Sequence, residues 1–452
     1  MSFTRSTTRQ LLAAGAAVTI IAFAGAGAAG HGLTSSGSQP NPSPSLPNLS
    51  GQSFTILGQW TGGEQAAFQN VLNGFDKKTG ATAHYTAAPG GDEATVLGAK
   101  VNGGSPPDVA ILALPGAISQ YGKGGQLKPI SSATASAVSA NFAPEWAKLA
   151  TVNGKLYGVP VDASDKSTVW YNTKLFNTAG VTPPTTWQQF IQDGKTLGNS
   201  GVTVPISVGG GDGWTLTDWF ENVYIRTAGV NMYDKLAHHQ IPWTDPSVTT
   251  ALNTLKQVMG DPSLIGPPAN ALKVPFTSSV DNVFKANPSS AEVYEASFVA
   301  TTITGDKDPA KVGTDAKFYP FPSINGSGNV VEAGGDFAVD FTTNPAAQAF
   351  MSYLASPEAS QLLVSAPGSG FLSANKNMNT SAYPDTTSRG LAQQIIAAGD
   401  NVRFDMSDQM PAAFGGTPNQ GEWADMQNFL RTGNVAATQA QLEKDASATP
   451  GW

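Results

Sequence analysis

Residues 53–60, SFTILGQW, crowd apolar positions into a short run that reads as a buried strand. Behind it Phe68, Val71, Leu72 and Phe75 fall at i, i+3, i+4 and i+7, one stripe on a helix over residues 64–78. Gly80 stands where a left-handed cap would end that helix. ATAHYTAA and PDVAILAL (residues 107–114) supply further strands with helical stretches between and after them, so the first half alternates as a doubly wound α/β sheet does. Farther on, Thr186 and Gln189 have capping-box spacing, and Phe190 and Leu197 give that helix its apolar face. In TTNPAAQAFMSYLASPEASQLL, Asn344-Pro345 starts a helix striped by Ala347, Phe350, Met351 and Leu354, and Ser356-Pro357 starts another.

One stretch breaks the pattern. GKLYGVPVDASDKSTVWYN (residues 154–172) holds two apolar runs separated by Asp162, Ser164, Asp165 and Lys166, with no Gly or Asn at the break to make the tight turn of a hairpin. The break is either an ordinary surface loop or needs another explanation.

The chain is 452 residues long, enough for two cores. Arg5 and Arg9 precede an apolar run over residues 11–23 and then Ala-x-Ala steps, the organisation of a secretory signal peptide over residues 1–28. The alternative is that residues 11–29 stay as an anchor. The Ser/Pro/Gly-rich residues 29–53 read as a disordered tether. Net charge is -8, and there is no Lys/Arg cluster, which argues against nucleic acid or anionic lipid as partner. With no cysteine, disulfides, thiolate catalysis, Cys-based metal sites and a lipidated cysteine are all excluded.

Little else announces chemistry. The four histidines, His31, His84, His238 and His239, form no metal-binding spacing. No Gly-x-Ser-x-Gly elbow is present, GAISQYGKGG fails the phosphate-loop pattern, and DKDPAKVG lacks an oxygen ligand for calcium. No catalytic residue, metal or cofactor is expected. A hydrolytic carboxylate pair remains open, because separation in space is invisible in sequence.

GKLYGVPV, the Tyr-Asn step, the Ala-Gly, PPTTWQQF, GFDKKTG, PPDV, Gly334-Gly335 and NPAAQAFMSYLASPEASQLL occur together and in order. The set resembles the extracellular solute-binding proteins of ABC importers (family 1, maltose-binding-protein-like), over residues 54–430. The resemblance implies a two-lobed periplasmic-binding-protein fold, two α/β domains with a ligand cleft between them. Lobe one would comprise residues 54–161 and 305–355, lobe two residues 162–304 and 356–452, with Pro160, Asp162, Ser164 and Asp165 on the hinge. It also implies a monomeric, non-enzymatic, extracytoplasmic receptor, with an ABC permease as partner.

A sugar site wants aromatic platforms beside hydrogen-bonding side chains. Trp60 with Glu64 qualifies at a strand-to-helix junction, and GGGDGWTLTDWFEN offers Asp212, Trp214 and Trp219. Trp214 and Trp219, five apart, would lie on different faces of one helix, and Trp214 is the better candidate. VYEASF, with Tyr294 and Glu295, resembles the family's strand near the second crossing. Gly335 would let backbone approach a ligand and Asp336 would accept from hydroxyls; Phe371 and Asp408 complete the set. AILALPGA departs from the maltose-binding pattern and leaves the sugar open. The competing readings are a secreted carbohydrate-active hydrolase, a cell-wall adhesion module and a same-fold receptor for another solute.

Overall fold

The computed structural model describes residues 45–88, 93–305, 309–366 and 369–452. The expected signal segment, the tether up to residue 44 and the start of DKDPAKVG lie outside them.

Ser53–Gly58 is the second strand of a five-stranded sheet, parallel to the edge strand Thr82–Ala87 on one side and to the central strand Val109–Leu112 on the other. Phe337–Asp340 then inserts antiparallel between Val109–Leu112 and Gly158–Pro160, so the sheet is mixed rather than purely parallel. Alternation along the strands feeds two faces. Phe54 and Ile56 meet Phe68, Val71, Phe75 and Phe350, whereas Leu57, Ala110 and Leu112 meet Ile118, Phe337 and Val339. The helix Gly62–Thr79 ends on Gly80 at φ 74°, a conformation open to glycine at little cost. Thr186, Asn344 and Ser356 each accept a backbone N–H at their helix starts.

A second sheet contains Ala316–Pro320, Thr168–Asn172, Glu292–Tyr294 and Ile206–Ser207, in that order. Helices carrying Phe190, Phe220, Tyr224, Leu252 and Phe429 pack their apolar stripes around it. A third sheet joins three passages of the chain, with Val331–Gly334 between Ser164–Asp165 and Val402–Phe404.

Several expectations need correction. Ala316–Pro320 was assigned with lobe one but pairs along all of Thr168–Asn172 in the second sheet. The helix Pro357–Val364 was assigned to lobe two, yet Ala359 and Leu363 pack with the apolar side of Gly62–Thr79. The tether does not extend to residue 53: Leu49 is buried, its N–H donates to Thr79 O at 2.7 Å, and Gln52 O accepts from Thr82 N–H at 3.0 Å. Burying one leucine and pairing its backbone is enough to hold a polar segment against the sheet edge.

The break at 161–167 is no solvated loop. Asp162, Ser164, Asp165, Lys166 and Ser167 are all buried, and Ser164 and Asp165 pair with Gly334 and Ala333. The true hairpin lies just upstream. Asn153 and Gly154, at φ 50° and 73°, turn Thr151–Val152 back onto Lys155–Leu156. Both central residues with positive φ is the type I′ signature of an Asn-Gly pair.

Candidate functional site

A cavity of about 460 Å³ opens where the carboxyl end of Ser53–Gly58, the third sheet and the helix Trp214–Ala228 converge. Trp60, Glu64, Asp212, Trp214, Gly335, Asp336, Phe371 and Asp408 line it, as do Asp162 and Ser164 of the expected hinge. Strand ends and loops deliver these residues because the sheets behind them are fully packed.

On one wall Trp60 is buried, its ring centroid 4.9 Å from Phe68 and 5.0 Å from Phe371. Asp336 accepts from Gln59 Nε2 at 3.1 Å and donates its own backbone N–H to Asp162 Oδ1 at 2.7 Å. Gly335 serves packing: a Cβ there would meet Asp162 O at 2.6 Å and Trp146 at 2.9 Å. On the other wall, at the start of its helix, Trp214 stands 5.2 Å from Phe276 and 6.0 Å from Phe298. Asp212 fixes that cluster by accepting Phe276 N–H at 2.7 Å.

Carboxyls crowd the cavity. Burial, then the neighbouring charge of Asp336, pushes Glu64 up to about 8. Burial and the same neighbour hold Asp162 well above the usual carboxylate range, whereas Asp336 rises by burial to about 6 against its hydrogen bonds. Asp408 is also raised, by burial and by Asp405. Among the described lining residues Lys166 is the one cation. Its Nζ is hydrogen-bonded to Asp405, lies 3.2 Å from Asp218 and 3.8 Å from Asp408, and sits 5.9 Å from the centre of the Trp214 ring.

The shift of Glu64 has a sign that can be checked. A carboxyl that holds its proton more firmly when folded contributes fully at acid pH, and that contribution is lost as pH rises through about 8. Glu64→Gln is therefore expected to melt above wild type at pH 9, by about 2 °C per kcal/mol relieved, with no such gain at pH 4. Calorimetric scans at both pH values decide it; an equal or lower midpoint at pH 9 refutes the assignment.

Trp219, Tyr294, Glu295, Pro160 and Asp165 do not line the cavity. Trp219 packs at 4.6 Å from Tyr294 and 5.8 Å from Phe321, inside the second core. Tyr294 spends its hydroxyl on Lys166 O and Asp218 O, at 2.9 and 3.0 Å. Glu295 is buried behind the cavity, raised by burial and by Asp218. Both faces of Glu292–Tyr294 are covered, so alternation could not single out a ligand-facing residue.

Sequence reasoning missed Gln59, Glu93, Lys166, Phe276, Phe298 and Trp423, which also line the cavity. Trp423 is the most telling: it is buried, and its Nε1–H has no hydrogen-bond partner among the described residues. It stands over Gly213, where a Cβ would lie 3.0 Å from Trp423 Cβ. Deeper still, carboxylate oxygens of Asp218, Glu221 and Asp405 lie within 4.8 Å of one another. They are supplied by donors: Glu221 accepts from Tyr233 and from Met406 and Ser407 N–H, and Asp405 from Lys166, Ser407 and Asp408 N–H.

The profile of the bacterial extracellular solute-binding proteins matches residues 60–361. The osmoprotective compounds-binding protein GgtB of Synechocystis sp. is 32% identical over 80% of this chain and 86% of its own. The alpha-glucosides-binding periplasmic protein AglE of Rhizobium meliloti is 31% identical over 88% and 87%. Among solved structures, the bacterial solute receptor AcbH, described as exclusive for β-D-galactopyranose, superposes with a TM-score of 0.76 at 19% identity, covering 88% of this chain and 99% of its own. That last likeness shows the two-lobed fold. The chain belongs to the bacterial extracellular solute-binding protein family.

Proposed function

We propose that the protein is an extracytoplasmic receptor that encloses a carbohydrate in the 460 Å³ cavity and delivers it, chemically unchanged, to the permease of an ABC transporter. The observation that carries this reading is that two aromatic pairs, Trp60 with Phe371 and Trp214 with Phe276, line one cavity together with several carboxyls. Sugar rings present apolar C–H faces to aromatic rings and hydroxyls to carboxyls and amides. The name of AglE, an alpha-glucosides-binding protein, points the same way.

Closure is a shift of population: contacts made by both walls exist only when the lobes approach, so ligand favours that state by differential affinity. The hinge in this reading is the bridging sheet, where Ser164–Asp165, Val331–Gly334 and Val402–Phe404 pass between the bodies. Export rests on residues 1–28 as a signal peptide, with residues 11–29 as an anchor if they are not removed. The working form is a monomer. Among the described residues no helix is long and apolar enough to cross a membrane.

Titration calorimetry against mono- and oligosaccharides, with chromatography of the recovered sugar, tests this. Saturable binding with sugar recovered intact is expected, and a hydrolysed product would overturn it. Trp214→Ala is expected to weaken binding by about 1–3 kcal/mol, the worth of one aromatic platform at a hot spot, while the fold stays intact. An unchanged Kd would remove Trp214 from the site.

A further inference from the structure

Glu93 and Leu114 line the main cavity on one side and a second cavity, of about 330 Å³, on the other. Helices Glu93–Asn102 and Pro115–Lys123 wall the second cavity, and Ala412, Ala413, Thr417 and Gln420 complete its lining. Its character differs from that of its neighbour. Thr95, Asn102, Gln120, Gln126, Thr417 and Gln420 give it neutral amides and hydroxyls, it has no tryptophan, and Glu93 is its one carboxyl among the described lining residues.

Glu93 is only 7% exposed, and its Oε1 has no hydrogen-bond partner among the described residues. A buried polar atom left unpaired is costly, so it marks a place where something else completes the bond. We infer that the ligand spans both cavities: a pyranose between the aromatic walls, and a second glycosyl or polyol unit in the amide-lined chamber, hydrogen-bonded to Glu93 where it passes between them. This rests on the carbohydrate reading. Burial and the charge of Asp336 hold the Glu93 carboxyl well above the usual range. A carboxyl so placed can pair with a sugar hydroxyl, which is both donor and acceptor. An uncharged, hydroxyl-rich extension fits a chamber of amides, whereas an anionic one would find no cation among the described lining residues.

The test is calorimetry with glucose, trehalose, maltose and maltotriose on the full chain and on two variants that obstruct the second chamber from different walls. Gly98→Leu puts a side chain into it from a helix position where the first atom met is Tyr121 Oη at 3.8 Å, and Gln120→Trp does so from the facing helix. Wild type is expected to bind at least one two-unit sugar tenfold or more tighter than glucose. Either variant should cut that ratio at least fivefold, and Glu93→Ala should lower it in the same direction. Equal affinity for glucose and all longer sugars in wild type, or variants that weaken every sugar by one factor, would overturn the two-chamber ligand and leave the sugar receptor standing. No binding of any sugar by wild type would overturn both.

Discussion

Replacing Lys166 by methionine is expected to destabilise the protein by about 3–5 kcal/mol, the cost of removing one partner from a buried ion pair. Lys166 is 8% exposed, between Ser164–Asp165 and Thr168–Asn172, and its single ammonium is shared between Asp405 and Asp218. Met fills the stem's volume, so the loss reports charge rather than a void. Asp405 is buried, yet its carboxyl is held below the usual range because attraction and hydrogen bonding from Lys166 outweigh desolvation. Its contribution in wild type is thus present above the unfolded carboxylate pKa and fades as pH falls. Without the ammonium, only the hydrogen bonds from Ser407 and Asp408 N–H oppose desolvation at Asp405 and its folded pKa moves up, so the variant regains stability as pH falls. Urea unfolding at pH 8 and pH 5 should show the gap between the two proteins narrowing at pH 5. A gap below about 1 kcal/mol at pH 8, far short of a buried pair, or one independent of pH, would sink the account.

The same residue shows what the sequence could and could not convey. Local signals read well: the stripe at Phe68, Val71, Leu72 and Phe75, the left-handed Gly80, and the caps at Thr186, Asn344 and Ser356 all depend on neighbours within about one or two helical turns. Strand order did not, because Phe337–Asp340 inserts between strands that precede it by more than 170 residues, as the pairing of Ala338 with Val159 shows. The polar run around Lys166 was visible as a departure from the apolar pattern, but its burial was not. Its counter-charges, Asp218 and Asp405, come from elements 52 and 239 residues away.

Site residues divided along the same line. Trp60, Trp214 and Asp336 stand at strand ends or a helix start, where local pattern ends and side chains are free to face a cleft. Trp423 lies within the helix Gly421–Thr432, and in sequence it is one more apolar residue of that helix. Only the apposition of this helix with Gly213 turns its indole toward the cavity. Glu93 likewise gave no sign, since a first-turn acid is ordinary in a helix.

Trp219→Ala is expected to cost about 3–5 kcal/mol of stability, the range for truncating a large buried aromatic, and to affect ligand affinity only as far as the folded fraction falls. Trp214→Ala should do the reverse. The two tryptophans sit five positions apart on one helix, which rotates them onto different faces. Trp219 turns into the second core, 1% exposed, between Phe190, Tyr294 and Phe321. Trp214 faces the cavity and Lys166. Removing Trp219 also withdraws the ring against which Tyr294 packs, and Tyr294 holds the backbone carbonyls of Lys166 and Asp218. Chemical unfolding and calorimetry on both variants separate the roles. A Trp219→Ala protein of near wild-type stability that had lost its affinity would place that ring in the site and take Trp214's distinction away.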